Sequence, residues 1–426
     1  MAHTHTGSHR RPLLLAATFA AVVALAGVAA PKPARGGDWP QWRGPNRDGR
    51  ATDFQAPKEW PKELTQKWKV TVGDGVATPA LVGDKLFVFT REGGAEVLRC
   101  LDAATGKQVW IEKYDAAFKG GADSGFPGPR CSPAVADGKV VTMGVNGTIS
   151  CFDAATGKKA WRTETEGLPP FHTSSSPVVV NKLVVAQYGG EGRGKGGGGK
   201  GGVAAYDLET GKEKWKWTSG PAAYASPVSM TIGGTTMIVA ETSSSLVGLS
   251  AADGKELWKT EYPVTGGRGY NSSTPLVSGS TVIFSGSNRG TRAVKIEKAG
   301  DTFTAKEAWT NKDNSALYNT PVVHGNSVFG LTSSDKLFCV SAETGKTAWA
   351  EPLSGGRGYG NIVDAGTVLL ALPPNGTLTV FEPNDKEFKK LASYKVGANK
   401  TYAYPIPTGN RIYVKDADSV ILWTVE

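Results

Sequence analysis

The residue types that carry most hydrolytic, redox and metal chemistry are scarce in this sequence, with four cysteines and five histidines in 426 residues. Cys100, Cys131, Cys151 and Cys339 are scattered, with no pairs at ligand spacing, which excludes the zinc-type motifs. Such spacings predict no disulfide either. Cys100, Cys151 and Cys339 stand two residues before Asp102, Asp153 and Ser341 of a repeated motif, so they read as small buried side chains. His3, His5 and His9 precede a long apolar run, leaving His172 and His324 for the rest of the chain. A hydrolytic triad built on His172 with Ser174, Ser175 or Ser176 lacks a carboxylate placed to orient the imidazole, and "HTSSSP" reads more simply as a polar loop entering a strand. His324, in "VVHGNSV", reads as a solvated turn residue.

Charge is also sparse. Charged residues are 20% of the chain, the formal net charge is +9, and no block of lysine and arginine interleaves with aromatics, so nucleic-acid binding finds no support. The densest basic stretch, "GGEGRGKGGGGKGG" at 189–202, is glycine-rich and reads as a solvated hairpin insertion. One apolar run approaches bilayer length. "PLLLAATFAAVVALAGVAA" follows His9, Arg10 and Arg11, and Ala24 with Ala26, or Gly27 with Ala29, offers cleavage positions. This is the layout of a secretory leader over residues 1–30, with an uncleaved anchor as the alternative. Its loss lowers the formal charge by two, because it holds Arg10 and Arg11 and no acid. No Leu-x-x-Cys motif follows, so lipid attachment is not expected. Residues 31–63 then form a lead-in, and 64–426 the folded body.

Glycine, proline and tryptophan are what the chain has in quantity: 55, 25 and 12. They recur in register. "LDAATGKQVW" ends at Trp110, "FDAATGKKAW" at Trp161, "YDLETGKEKW" at Trp215, "LSAADGKELW" at Trp258 and "VSAETGKTAW" at Trp349; a degenerate copy ends at Trp309, and another keeps Tyr394. Ahead of each copy a small polar residue and a proline open an apolar run, at Thr78, Ser132, Ser176, Ser226, Thr274 and Thr320, with weaker versions at Gly360 and Tyr404. These eight markers recur with a period of 40 to 54 residues, and the short Val, Ile, Leu and Phe runs between them show no helical periodicity.

Two hairpins fit each unit. The aspartate can cap a tight turn, the glycine that follows can take positive φ, and the tryptophan then opens an outer strand where its ring fills the gap to the next unit. Proline is tolerated at the first residue of an inner strand. Four strands per unit make a propeller blade, so the prediction is an all-β, eight-bladed β-propeller of four-stranded antiparallel blades. The last unit has three strand-like runs. "LTQKWKVTV", 64–72, places Trp68 where each blade has its outer tryptophan, so this N-terminal strand is expected to pair near 420–425 and close the ring. Trp68, Trp110, Trp161, Trp215, Trp258, Trp309 and Trp349, with Tyr394, then give eight wedges.

The D-A-A-T-G-K-x-x-W copies over residues 64–426 resemble the eight-bladed quinoprotein-type propellers, whose repeats are named for pyrroloquinoline quinone (PQQ). "DWPQWRGPNRDGR", 38–50, resembles the N-terminal signature of exported, uncharacterised members of that group. The resemblance implies two functional branches. Quinone-dependent alcohol and sugar dehydrogenases are expected to carry calcium held by carboxylate and amide oxygens, a catalytic aspartate, a tryptophan floor and, in many members, adjacent cysteines. Non-catalytic propellers similar to BamB act as scaffolds in outer-membrane protein assembly. Here no two cysteines are adjacent, and the loops that open onto the axis offer only Asp115, Asp123 and Asp313 as aspartates. No catalytic or metal residue is therefore assigned. Those loops instead bring Tyr224, Arg268, Tyr270, Asn271, Tyr318, Asn319, Arg357, Tyr359, Asn361 and Tyr402 toward one face, a candidate binding surface. The alternative is that the tyrosines plug the channel and the asparagines hold turns. The reading is an exported binding or scaffold propeller, periplasmic or extracellular, monomeric, with a protein or peptide partner in the cell envelope and no cofactor. The alternative is a PQQ- and calcium-dependent dehydrogenase.

Overall fold

The computed structural model describes residues 1–5, 7, 37–118, 125–190, 201–264, 270–398 and 400–426. The leader's cleavage positions, Asp123, Arg268 and the core of the Gly-Lys stretch lie outside the described residues. Residues 34–426 form one compact unit. Among the described residues no helix is long and apolar enough to cross a membrane.

The unit is an eight-bladed propeller, with eight separate four-stranded antiparallel sheets. Blade 1 shows the pattern. Its inner strand Ala80–Val82 pairs with Lys85–Glu92, which pairs with Ala95–Asp102, which pairs with the outer strand Gln108–Asp115. Blade 8 takes three strands from the C-terminal end, Ile406–Thr408, Arg411–Lys415 and Ser419–Thr424, and its outer strand Thr65–Thr71 from the start. The closing pair runs in register from Thr65 opposite Thr424 to Thr71 opposite Ser419, with a bulge between Gln66 and Trp68. Closure pairs the N-terminal strand with the free edge of Ser419–Thr424, so the three C-terminal strands become a four-stranded blade.

At the rim, the repeated turn and the repeated tryptophan are one device. In Asp102-Ala-Ala-Thr-Gly the Asp102 Oδ1 accepts from the Thr105 amide at 2.8 Å and the Thr105 hydroxyl at 2.7 Å. Asp153 and Asp207 repeat these bonds with Thr156 and Thr210. Gly106 sits at φ +72°, and a Cβ there would lie 2.9 Å from the Trp68 ring of the preceding blade. The same clash, at 2.4 to 2.6 Å, faces Gly157, Gly211, Gly254 and Gly345 against Trp110, Trp161, Trp215 and Trp309. The glycine is needed twice, for the left-handed backbone and for the ring that lies on it. Each indole N–H then donates across the gap: Trp68 to the Ala104 carbonyl at 3.0 Å, Trp161 to Leu208 at 2.8 Å, Trp309 to Ala342 at 2.8 Å. Trp258 departs: in blade 5 the hairpin turn between Ala299 and Thr302 is tighter, a Cβ on its Gly300 would meet nothing within 4 Å, and the Trp258 N–H meets Met237 Sδ of its own blade at 3.1 Å. The cysteines are all buried thiols; Cys100, Cys151 and Cys339 lie directly opposite Trp110, Trp161 and Trp349 in the ladders.

At the axis, the proline markers form a hydroxyl relay. The Tyr404 amide donates to Thr78 Oγ1, Thr78 to Ser132, Ser132 to Ser176, Ser176 to Ser226, Ser226 to Thr274 and Thr274 to Thr320, all within 2.9 to 3.1 Å. The circuit lacks hydroxyl acceptors where the markers are Gly360 and Tyr404. Arg43 spans that break: Nη1 donates to the Thr320 carbonyl at 3.0 Å and the Tyr404 hydroxyl at 2.7 Å, and Nη2 to the Pro321 carbonyl at 2.7 Å. Arg47 reaches the opposite wall, donating to the carbonyls of Pro177 at 2.9 Å and Ser176 at 3.0 Å. Both arginines are buried, and burial together with the neighbouring Arg43 charge lowers the Arg47 guanidinium to about 9. The segment 38–50 thus threads the axial channel and fills it.

Candidate functional site

Above this plug the top-face loops enclose one cavity of about 320 Å³. The repeat builds it. In seven blades the residue two before the marker lines the cavity: Val76, Arg130, Ser174, Tyr224, Ser272, Tyr318 and Tyr402; blade 7 supplies Tyr359 and Asn361. Trp42 and Tyr404 complete it from below, with ring centroids 4.9 Å apart at 83°. The Trp42 indole N–H donates to Thr274 Oγ1 at 3.2 Å, so the floor hangs from the hydroxyl relay.

The walls are aromatic and fall into two groups. Phe171, Tyr224 and Tyr270 pack edge to face, with centroids 5.2 to 6.2 Å apart. Opposite, Tyr318 stacks on Tyr359 at 4.4 Å, Tyr359 meets Tyr402 at 5.3 Å, and Tyr402 meets Phe126 at 5.6 Å. Burial raises the phenols of Tyr318 and Tyr402 and pushes Tyr359 up to about 12, helped by its two tyrosine neighbours, so these walls stay uncharged at neutral pH. Arg130 is the one charged side chain among the described lining residues, and its Nη2 donates to the Phe126 carbonyl at 2.8 Å.

The residues singled out in the sequence therefore separate. Tyr224, Tyr270, Tyr318, Asn319, Tyr359, Asn361 and Tyr402 line the cavity. The asparagines are tied to backbone: Asn319 Nδ2 donates to the Leu331 carbonyl at 2.9 Å, and Asn361 Nδ2 to those of Tyr402 and Ala403 at 3.0 Å. Asn271 is buried outside the cavity and donates to the Thr242 carbonyl at 2.7 Å. Arg357 is exposed, at φ +49°, and does not line it. Arg268 lies outside the described residues. Sequence reasoning missed Trp42, Phe126, Arg130 and Phe171. Arg130 was reachable, because it holds the same place before Ser132 that Tyr224 holds before Ser226.

A calcium–quinone pair would require hard oxygen donors beside the ring. No carboxylate lines the cavity among the described residues, and of the two lining amides Asn319 already accepts at Oδ1 from the Leu331 amide at 3.4 Å. No group of three or more histidine, cysteine, aspartate or glutamate side chains able to hold a metal occurs among the described residues. Asp115 and Asp313 are exposed and outside the cavity. These residues do not fit that cofactor set. Of the serines weighed for a triad, Ser176 has a structural part, its hydroxyl accepting from the Ser132 amide at 2.9 Å. His324 does have a carboxylate, Asp364 Oδ2 at 3.1 Å, with Arg50 on the same oxygen at 3.0 Å, but this cluster is not part of the cavity.

Glu241, a buried acid, lies under the same face. In blade 3, Gln187 ties the next loop down, accepting from the Ala223 amide at 3.3 Å and donating to the Ala225 carbonyl at 2.7 Å. In blade 5, Ser285 accepts from the Ala316 amide at 2.8 Å. The ladders put Glu241 at the same position of blade 4, fully buried, with neither carboxyl oxygen hydrogen-bonded. Desolvation raises its pKa well above the usual carboxylate range, opposed by the Arg289 charge.

The family model described as outer membrane protein assembly factor BamB matches residues 58–197 and again 196–351. BamB of Burkholderia pseudomallei is 24% identical over 371 residues, covering 84% of this chain and 86% of that protein. The quinohemoprotein alcohol dehydrogenase ADH-IIG of Pseudomonas putida is 33% identical over 167 residues, which cover 37% of this chain and 21% of the dehydrogenase. The match thus spans about a fifth of that enzyme's length. Among solved structures, the quinohemoprotein alcohol dehydrogenase of Comamonas testosteroni superposes with a TM-score of 0.68 at 17% identity, covering 92% of this chain and 81% of that one. At that identity the likeness shows the fold alone.

Proposed function

This chain belongs to the PQQ-like propeller family whose matching model is described as outer membrane protein assembly factor BamB, and on that premise we propose that it is an exported binding or scaffold module. The observation that carries this reading is the cavity: a closed-floored, aromatic cup built from repeated positions, with no carboxylate among its described lining residues. Aromatic side chains give rigid contact area at little entropic cost, as binding surfaces use them. The partner is a protein or peptide of the cell envelope, and outer-membrane protein assembly is the setting that the family model's description suggests. The leader over residues 1–30 supplies export to the periplasm or beyond, and the module needs no cofactor.

A second reading is a PQQ- and calcium-dependent dehydrogenase. It is favoured by the 33% identity to a quinohemoprotein alcohol dehydrogenase over part of the chain, and opposed by the donor set of the cavity. Photo-crosslinking in cells tests the binding reading. A benzophenone amino acid at Tyr318 is expected to capture a discrete envelope protein, while the same group at Val109, exposed on the rim, captures none. No adduct from position 318, or the same adducts from both positions, would refute it.

A further inference from the structure

The axial channel is closed beneath the cavity. Trp42 forms its floor, Arg43 is hydrogen-bonded to blades 6 and 8, and Arg47 to blade 3, so the lead-in occupies the axis from wall to wall. A polypeptide cannot thread such a cup; it can only insert something into it. At about 320 Å³ the space is at the small end of ligand cavities, which run about 300 to 1,000 Å³, and admits one or two side chains rather than a folded element.

The chemistry of the walls narrows the class. Tyr270 and Tyr318, one from each aromatic group, both line the cavity, with the Trp42 and Tyr404 rings crossed at its floor. Rings set edge to face leave positive edges and negative faces for another ring to complete. No carboxylate is available among the described lining residues to receive a lysine or arginine, the Arg130 guanidinium repels such a cation, and its Nη2 is already given to the Phe126 carbonyl. Resting on the binding reading above, we propose that this cup is a socket for one aromatic side chain of the partner polypeptide, inserted as a knob from a loop tip or chain end.

The test uses the full-length protein and blocked amino acids as probes, followed by saturation-transfer NMR. N-acetyl tryptophan amide and N-acetyl phenylalanine amide are expected to bind at least about tenfold tighter than the lysine and glutamate amides, a difference of about 1.4 kcal/mol. Ser272→Trp, which fills the cup from its wall at the loss of the Ser272 hydroxyl's bond to the Leu317 carbonyl, should abolish that binding in a protein that still unfolds cooperatively. Should that variant fail to fold, Tyr318→Ala should weaken aromatic binding several-fold. Equal binding of charged and aromatic amides, no aromatic binding up to about 10 mM, or tighter binding of N-acetylglucosamine would each overturn the socket. Crosslinks from position 318 without aromatic preference defeat the socket alone; no crosslinks defeat the binding reading as well.

Discussion

The rim and the axis of this propeller are held together in opposite ways. At the rim, each gap between blades receives one ring, which in five of the eight lies on a turn glycine and donates its indole N–H across the gap. At the axis, the inner strands are joined by a hydroxyl relay that fails where Gly360 and Tyr404 replace serine or threonine, and a single non-repeating segment makes good the break through Arg43. Rim stability is therefore distributed over eight similar sites, while axial stability is concentrated in one. The difference also assigns roles: the rim makes the scaffold, and the axis, by closing the channel, makes the cup.

Removing a wedge should show the largest effect. Trp161→Ala and Trp349→Ala, both nearly buried at 8% exposure, should each cost about 3 to 5 kcal/mol in chemical denaturation, from emptied space between blades. Near-zero losses would mean that the rings do not bridge the blades. Arg43→Ala comes next, at about 3 kcal/mol, because it strands the Thr320 and Pro321 carbonyls and the Tyr404 hydroxyl in the interior. Arg43→Lys should recover little, since an ammonium cannot reach both walls with a planar fork. If Arg43→Ala costs no more than a surface substitution, the concentrated-axis picture fails.

Glu241 belongs to neither region and sharpens the contrast through pH. Its pKa is raised in the folded state, so its stabilising contribution is complete below the ordinary carboxylate value and is lost progressively as pH rises toward the folded value. Glu241→Gln, which copies Gln187 of the neighbouring blade, should therefore raise the melting temperature at pH 7 and give a gain that shrinks toward pH 4. A gain independent of pH would remove ionisation from the explanation. The smallest effect is expected from Thr78→Val, about 1 kcal/mol, through loss of the one bond its hydroxyl accepts, from the Tyr404 amide.

The rim was legible in the sequence because its cause is local and repeated. Aspartate, threonine, glycine and tryptophan fall within ten residues, and Trp68 with the strand 64–72 announced the closing pair found opposite Ser419–Thr424. The glycine's second duty, lying under the tryptophan of the preceding blade, was not legible, because it joins residues about forty to fifty positions apart. The axis was read only in part. The markers were visible as strand openers, yet from Thr78 to Thr320 the bond from each marker amide to the next marker's hydroxyl joins residues 44 to 54 positions apart, and the place of Arg43 and Arg47 depends on contacts between segments more than 100 residues apart. One signal was available: the markers at Gly360 and Tyr404 lack the small hydroxyl that the other six carry, just where a segment outside the repeat had to enter. In the cup, the tyrosines stood out by type, whereas Trp42 arrives from the lead-in and no repeat position points to it.

Central to this account is that the cup receives a partner and not a quinone. The most direct measurement is titration of the purified chain with pyrroloquinoline quinone and calcium, reading the absorbance of bound cofactor and the reduction of an artificial acceptor across alcohols and sugars. The account predicts neither saturable binding nor turnover; saturable binding accompanied by acceptor reduction would contradict it and make the cup an active site.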